Sequence, residues 1–102
     1  MAQRRVYLDK TEGVFHVPTK NNIAKFNLLA KDIVRIQFDK KMSLVLGFIK
    51  KETETITIVS GKLKNPIVYK KNQNKQYFDT YKIELEKFAK DNNITFTNNI
   101  NN

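Results

Sequence analysis

For its first seventy residues the chain alternates apolar and polar positions in short runs separated by turn formers, the signature of half-buried β-strands. Residues 4–9, RRVYLD, put Val6 and Leu8 on one face and Arg5, Tyr7 and Asp9 on the other. KTEG follows as a hairpin turn, with Gly13 free to take positive φ. VFHV comes next and is closed by Pro18. In IAKFNLL, Ala24, Phe26 and Leu28 alternate with Lys25 and Asn27; in DIVRIQF, Val34, Ile36 and Phe38 alternate with Arg35 and Gln37. After the turn signal DKK, MSLVLGFI carries Met42, Leu44, Leu46 and Phe48 on one face and Ser43, Val45, Gly47 and Ile49 on the other, so both sides can be partly buried. TITIV turns Ile56 and Ile58 inward, opposite Thr55 and Thr57. VSGKLKNP is either a tight Ser60–Gly61 turn or a longer loop, and PIVYK is a seventh strand whose Pro66 suits only its first position or an edge.

The period then changes. From Lys75 the apolar positions are Tyr77, Phe78, Tyr81, Leu85, Phe88 and Ala89, which fall within a wedge of about 120° on a helix. This predicts an amphipathic helix over about 75–91, capped by Asn72 or Asn74 and ended by DNN. Phe78, Tyr81, Leu85 and Phe88 read as a structural plug covering the open end of a small β-structure. Ile83 points away from that wedge. It is an ordinary exposed isoleucine, or it meets a second subunit or the tail, where Ile94 and Phe96 alternate with Thr95 and Thr97. The final residues, 98–102, read as a disordered tail.

Length and composition fit one domain, here residues 1–97: 102 residues, 40% of them hydrophobic. No run approaches the ~20 apolar residues of a membrane span. The start, MAQRRVYLDK, has no apolar stretch after its arginines and is not a secretory signal. Cysteine is absent, which fits a reducing compartment and makes the cytoplasm the expected location.

The formal net charge is +9. Lys75, Lys82, Lys87 and Lys90 balance Asp79, Glu84, Glu86 and Asp91, so the excess sits in residues 1–74. Two readings stand. Lysine keeps sheet edges soluble and follows from AT-rich coding, while a basic surface also attracts phosphate-bearing partners, nucleic acid or anionic lipid. In a simple meander Lys20, Lys40, Lys41, Lys62 and Lys64 share one end, and Lys10, Lys31, Lys50, Lys51, Lys70, Lys71 and Lys75 share the other. Lys40, Lys41, Lys62 and Lys64 are the preferred anion-binding candidates, because they lie farther along the chain from the neutral helix. Base stacking would need exposed aromatics, for which Tyr7 and Tyr69 are the candidates.

Catalytic chemistry has little to stand on. His16 is the only histidine and lies in an expected strand, so it reads as structural or solvent-facing. Ser43 and Ser60 lack a glycine elbow, and neither a phosphate loop nor a dinucleotide fingerprint occurs. The chain is expected not to be an enzyme and to need no metal or cofactor.

Seven short strands followed by one C-terminal amphipathic helix is the element order of the pleckstrin-homology-like fold. From KDIVRIQFDKK through ETITIVSGK and NPIVYKK to QYFDTYKIELEKFAK, the chain resembles small bacterial members of that superfamily, over about residues 5–91. The resemblance implies a mainly β (α+β) domain: an antiparallel bent barrel of about seven strands, plugged at one end by the helix. It also implies a non-enzymatic binding or scaffolding module. Eukaryotic members that bind phosphoinositides use basic residues around the first hairpin. Here that hairpin, LDKTEGVFHV, has Lys10 alone beside Asp9 and Glu12, which argues against that ligand. The helix tryptophan frequent in eukaryotic members is also missing, and Phe78, Tyr81 or Phe88 would fill its place. The expected function is therefore protein interaction, with another protein or a second copy. The alternative is a basic binder of anionic ligands, either nucleic acid or an acidic membrane surface.

Overall fold

The computed structural model describes the backbone of residues 4–45 and 49–100, and the side chains of 4–42 and 52–100. The protein is mainly β, with two sheets and one helix. Strands β1 (Val6–Asp9), β2 (Glu12–Pro18) and β3 (Ile23–Leu29) form an antiparallel meander. Strands β4 (Ile33–Val45), β5 (Ile49–Ser60), β6 (Ile67–Lys70) and β7 (Thr95–Asn98) form the second sheet, in the order β6-β5-β4-β7. Helix α1 (Phe78–Asp91) lies between β6 and β7 in the chain.

The expected closed barrel is not formed; the two sheets stay separate. Among the described residues six strands, not seven, precede the helix. Asp39–Lys41 is not a turn: β4 runs through it in continuous antiparallel register with β5, from Phe38 opposite Ile56 to Val45 opposite Ile49. The MSLVLGFI segment is thus not a strand of its own; it contributes the ends of β4 and β5, and Leu46, Gly47 and Phe48 lie outside the described residues. The seventh strand follows the helix and pairs parallel with β4, Arg35 opposite Thr95 through Phe38 opposite Asn98. β6 and β4 both run antiparallel to β5, so β6 and β7 are parallel strands at opposite edges of one sheet. Parallel strands need a long crossover, and α1 is that crossover. It packs against β4 and β7 on one side and the β1 edge of the meander on the other.

The core collects Val6, Phe15 and Leu28 from the meander with Ile36, Phe38, Ile56, Ile58, Ile67 and Tyr69 from the second sheet. Phe78, Tyr81, Leu85, Phe88 and Ala89 of α1 are all buried in it. Ile83 is 73% exposed. Residues 98–100, expected as tail, lie against the second sheet: Asn99 N–H donates to the Phe38 carbonyl, and Ile100 is buried.

Several local expectations are corrected. Val34 faces solvent, because the register slips between Ile33 and Arg35. That irregularity turns Ile33 inward in place of Val34, while Ile36 and Phe38 are buried as expected. The first hairpin turns at Lys10–Thr11, and Gly13 lies inside β2 opposite Leu8. Its role is close approach: a Cβ there would sit 2.7 Å from the Phe15 ring. The helix begins at Phe78, not Lys75, and neither Asn72 nor Asn74 caps it with a side chain; the Asn74 carbonyl accepts from the N–H groups of Tyr77 and Phe78, while its Nδ2 donates to the Lys70 carbonyl. At the other end Asn93 takes φ 56°. Ile94 N–H reaches back to the Ala89 carbonyl and Asn93 N–H to that of Lys90, which closes a Schellman motif. Beyond Ser60 the chain turns tightly, Leu63 N–H to the Ser60 carbonyl, and then continues as a loop to β6.

Candidate functional site

β6 covers the edge of β5 only from Thr55 to Ile58, and β7 covers the edge of β4 only from Arg35 to Phe38. Beyond the Asp39–Thr55 pair, β4 and β5 have no other strand partner among the described residues, so residues 40–45 and 49–54 form a two-stranded ribbon. A lone two-stranded hairpin is marginal in water, and unpaired edges attract other strands. Met42, on this ribbon, is 60% exposed.

The ribbon is anchored at its base by charge. Glu54 lies on the helix-facing side of β5. Its carboxylate accepts a 2.7 Å hydrogen bond from Lys82 Nζ of α1 and lies 3.6 Å from Lys71 Nζ. Asp79 completes the group, 3.4 Å from Lys82 and 3.9 Å from Lys71. The Lys82 hydrogen bond holds the Glu54 carboxyl below its ordinary value, against the opposing effect of burial. Burial works against the charge on Lys82, but Glu54 and Asp79 more than offset it and raise its value. Farther out, Lys40 pairs with Glu52 at 3.3 Å.

The four anion-binding candidates do not come together. Lys62 and Lys64 are exposed in the loop after β5, beside the Ile33–Ser60 end of the β4–β5 pair. Lys40 and Lys41 are seven and eight residues farther along β4, roughly 23 Å or more away at strand rise. They point to opposite faces, because strand neighbours alternate. The grouping of lysines by ends depended on a turn at Asp39–Lys41, and it fails with that turn. Lys40 belongs instead beside Lys70 and Lys71: Lys70 pairs with Thr55, next to Glu54, which lies opposite Lys40.

Of the two stacking candidates, Tyr7 is exposed and Tyr69 is buried. The Tyr69 hydroxyl donates to the His16 carbonyl at 3.1 Å, bolting β6 to the meander, and burial pushes its pKa well up. The Tyr81 hydroxyl accepts from Arg5 N–H at 2.7 Å, and burial raises its pKa too. Both tyrosines tie the two sheets and the helix together. His16 is half-buried and meets Tyr7 edge to face at 5.8 Å.

A cleft of about 540 Å³ lies between the β1–β2 turn and the C-terminal half of α1. Its walls mix Asp9, Lys10, Glu84, Lys87 and Asp91. Glu84 of α1 is paired with Arg4 ahead of β1, and Lys87 with Asp91 within α1, so these charges are engaged. Among the described residues no three acidic, histidine or cysteine side chains group as metal ligands, and no helix is long and apolar enough to cross a membrane. The fold and its surfaces define a two-sheet β protein with one crossover helix and a projecting ribbon. Set against protein-family models, curated proteins and solved structures, the chain matches none.

Proposed function

We propose that the protein is a non-enzymatic protein-interaction module, a variant of the pleckstrin-homology-like arrangement, and that its partner on the ribbon is a second copy of the chain. The single observation that carries the reading is the ribbon itself, whose two edges have no strand partner among the described residues from 40 to 45 and from 49 to 54. Main-chain hydrogen bonding along such an edge supplies affinity by strand addition. The occupant follows from charge. The β5 stretch IKKETE, Ile49–Glu54, is complementary to itself when run antiparallel, its basic half against its acidic half. A twofold axis at position 51 sets Lys50 against Glu52 of the partner subunit, two positions of the same strand parity, in an isologous contact that closes on itself. The chain departs from the pleckstrin-homology-like element order before and after α1: among the described residues six strands precede the helix, and β7 follows it.

Light scattering on a sizing column tests this. The wild-type chain is expected to form a concentration-dependent dimer. Glu52→Lys and Lys50→Glu each weaken it by setting like charges together, and the double variant restores it. A chain that stays monomeric at every accessible concentration, or a double variant no better than the singles, refutes the reading.

A further inference from the structure

The meander presents a second surface, away from the ribbon. Strand alternation turns Val6, Phe15 and Leu28 into the core and places Arg5, Tyr7, His16 and Lys25 on the opposite face. His16 N–H donates to the Arg5 carbonyl, and His16 lies opposite Lys25 in the β2–β3 register. Arg5, His16 and Lys25 therefore form one row across three strands, about 10 Å wide at ordinary strand spacing. Tyr7 stands in the next row, 47% exposed, with its ring edge-on to His16. At the edge of the sheet the Arg4 guanidinium lies 5.7 Å from the Tyr7 ring and 6.0 Å from the Tyr77 ring. Tyr77 in turn stacks on Tyr81 at 25°.

Two polar atoms in this cluster, Arg4 Nε and His16 Nδ1, are buried without a hydrogen-bond partner. Both flank Tyr7. The acids of this sheet, Asp9 and Glu12, pair at the far end beside the turn, and Glu84 of α1 is paired with Arg4, so Arg5 and Lys25 are the cations of this row.

We infer that this face binds single-stranded nucleic acid, one base stacking on Tyr7 and the adjoining phosphates lying on Arg5 and Lys25. Cations beside an exposed aromatic are the recurring means of holding an unpaired strand without sequence preference. The charge complementarity is to a polyanion. The exposed ring selects the strand form, because a flat tyrosine face can stack only on a base that is not already paired. The inference does not depend on the ribbon, and ribbon variants leave it unchanged.

Fluorescence anisotropy with a labelled oligothymidylate, its RNA counterpart and a duplex of the same length tests it on the full chain. The expected result is binding to both single strands, weaker binding to the duplex, and affinity that falls as salt rises. Tyr7→Ala should weaken single-strand binding about tenfold, within the range seen when a stacking aromatic is removed. Tyr7→Phe should retain it, and retention in Tyr7→Phe separates stacking from folding. Lys25→Glu should weaken binding more than Lys87→Glu on the distant helix surface. No binding at low salt overturns the inference, as does equal binding of duplex. So does a Tyr7→Ala chain of unaltered circular dichroism that binds like wild type, since diffuse attraction by surface lysines would then suffice.

Discussion

Gly13→Ala adds one methyl group where the structure has no room for it. The new Cβ would stand 2.7 Å from both Cε2 and Cζ of Phe15 and 3.0 Å from Cδ2 of Leu8. An ordinary carbon contact needs about 0.7 Å more. Phe15 is fully buried, opposite Val6 on one side and Phe26 on the other, so its ring has nowhere to retreat. Overpacking of this kind costs about 1–3 kcal/mol. Restricting the unfolded chain returns about 0.4–1 kcal/mol. The net expectation is a loss of about 1–2 kcal/mol, or a melting temperature lower by roughly 5–15 °C for a domain of this size. Urea denaturation measures it. The cause is isolated by repeating the substitution in a Phe15→Leu background, where the shorter side chain vacates the contact and Gly13→Ala should cost little. A neutral Gly13→Ala refutes the reasoning, and so does an equal cost in both backgrounds, because then the methyl group and the ring do not interact.

Phe78→Ala and Phe88→Ala should each cost about 3–5 kcal/mol in the same assay, whereas Ile83→Ala, at an exposed site, should stay within about 0.5 kcal/mol. The Glu54 carboxyl has a pKa below its unfolded value, so the stability it contributes is present above the unfolded pKa of 4.5 and is lost as pH falls through the lower, folded value. Glu54→Gln should therefore flatten the acid limb of stability against pH, by no more than about 1 kcal/mol for a pair that water reaches; an unchanged limb would remove the anchoring role of this residue. At Asn93, whose φ is 56°, Gly should be neutral or better, and Val should cost about 1–2 kcal/mol through its crowded Cβ; thermal melts that rank Val above Gly would contradict the left-handed helix stop.

The sequence reveals the strands wherever alternation is strict. Val6, Leu28, Ile36, Phe38, Ile56 and Ile58 face inward as their parity requires, and the helix wedge buries as one surface. Parity fails where the backbone inserts a residue, as at Val34, because an irregularity leaves no mark in apolar spacing. At Tyr69 parity holds, since Ile67 and Tyr69 are both buried and Val68 between them is exposed; what the pattern hides is the facing, because a tyrosine ring enters the core where its hydroxyl finds carbonyl partners. Two topological facts were hidden for a different reason. A polar DKK reads as a turn, yet a strand that extends beyond its neighbours exposes its polar residues just as a turn does. The pairing of β7 was invisible because Thr95–Asn98 carries only local information, while its partner lies sixty residues earlier. Short-range pattern specifies that a segment is extended, not which edge it will join.

Charge illustrates how far composition alone can lead toward a site. The helix and tail sum to zero because their charges are used locally, Lys90 with Glu86 and Lys87 with Asp91 along α1, Lys82 with Glu54 across to β5. The excess on the strands is spread over two sheets, a loop and a ribbon, with Lys62 and Lys64 far from Lys40 and Lys41 along the β4–β5 pair. A field so distributed draws anions toward the whole molecule and favours no point on it. Whatever specificity the surface has must come from groups with shape: the unpaired edges of the ribbon, which accept only an extended chain, and the Tyr7 ring beside Arg4 and Arg5, which accepts only a flat partner. Substitutions at those groups should change which partner binds, while neutralising any single exposed lysine should change only the salt at which it lets go.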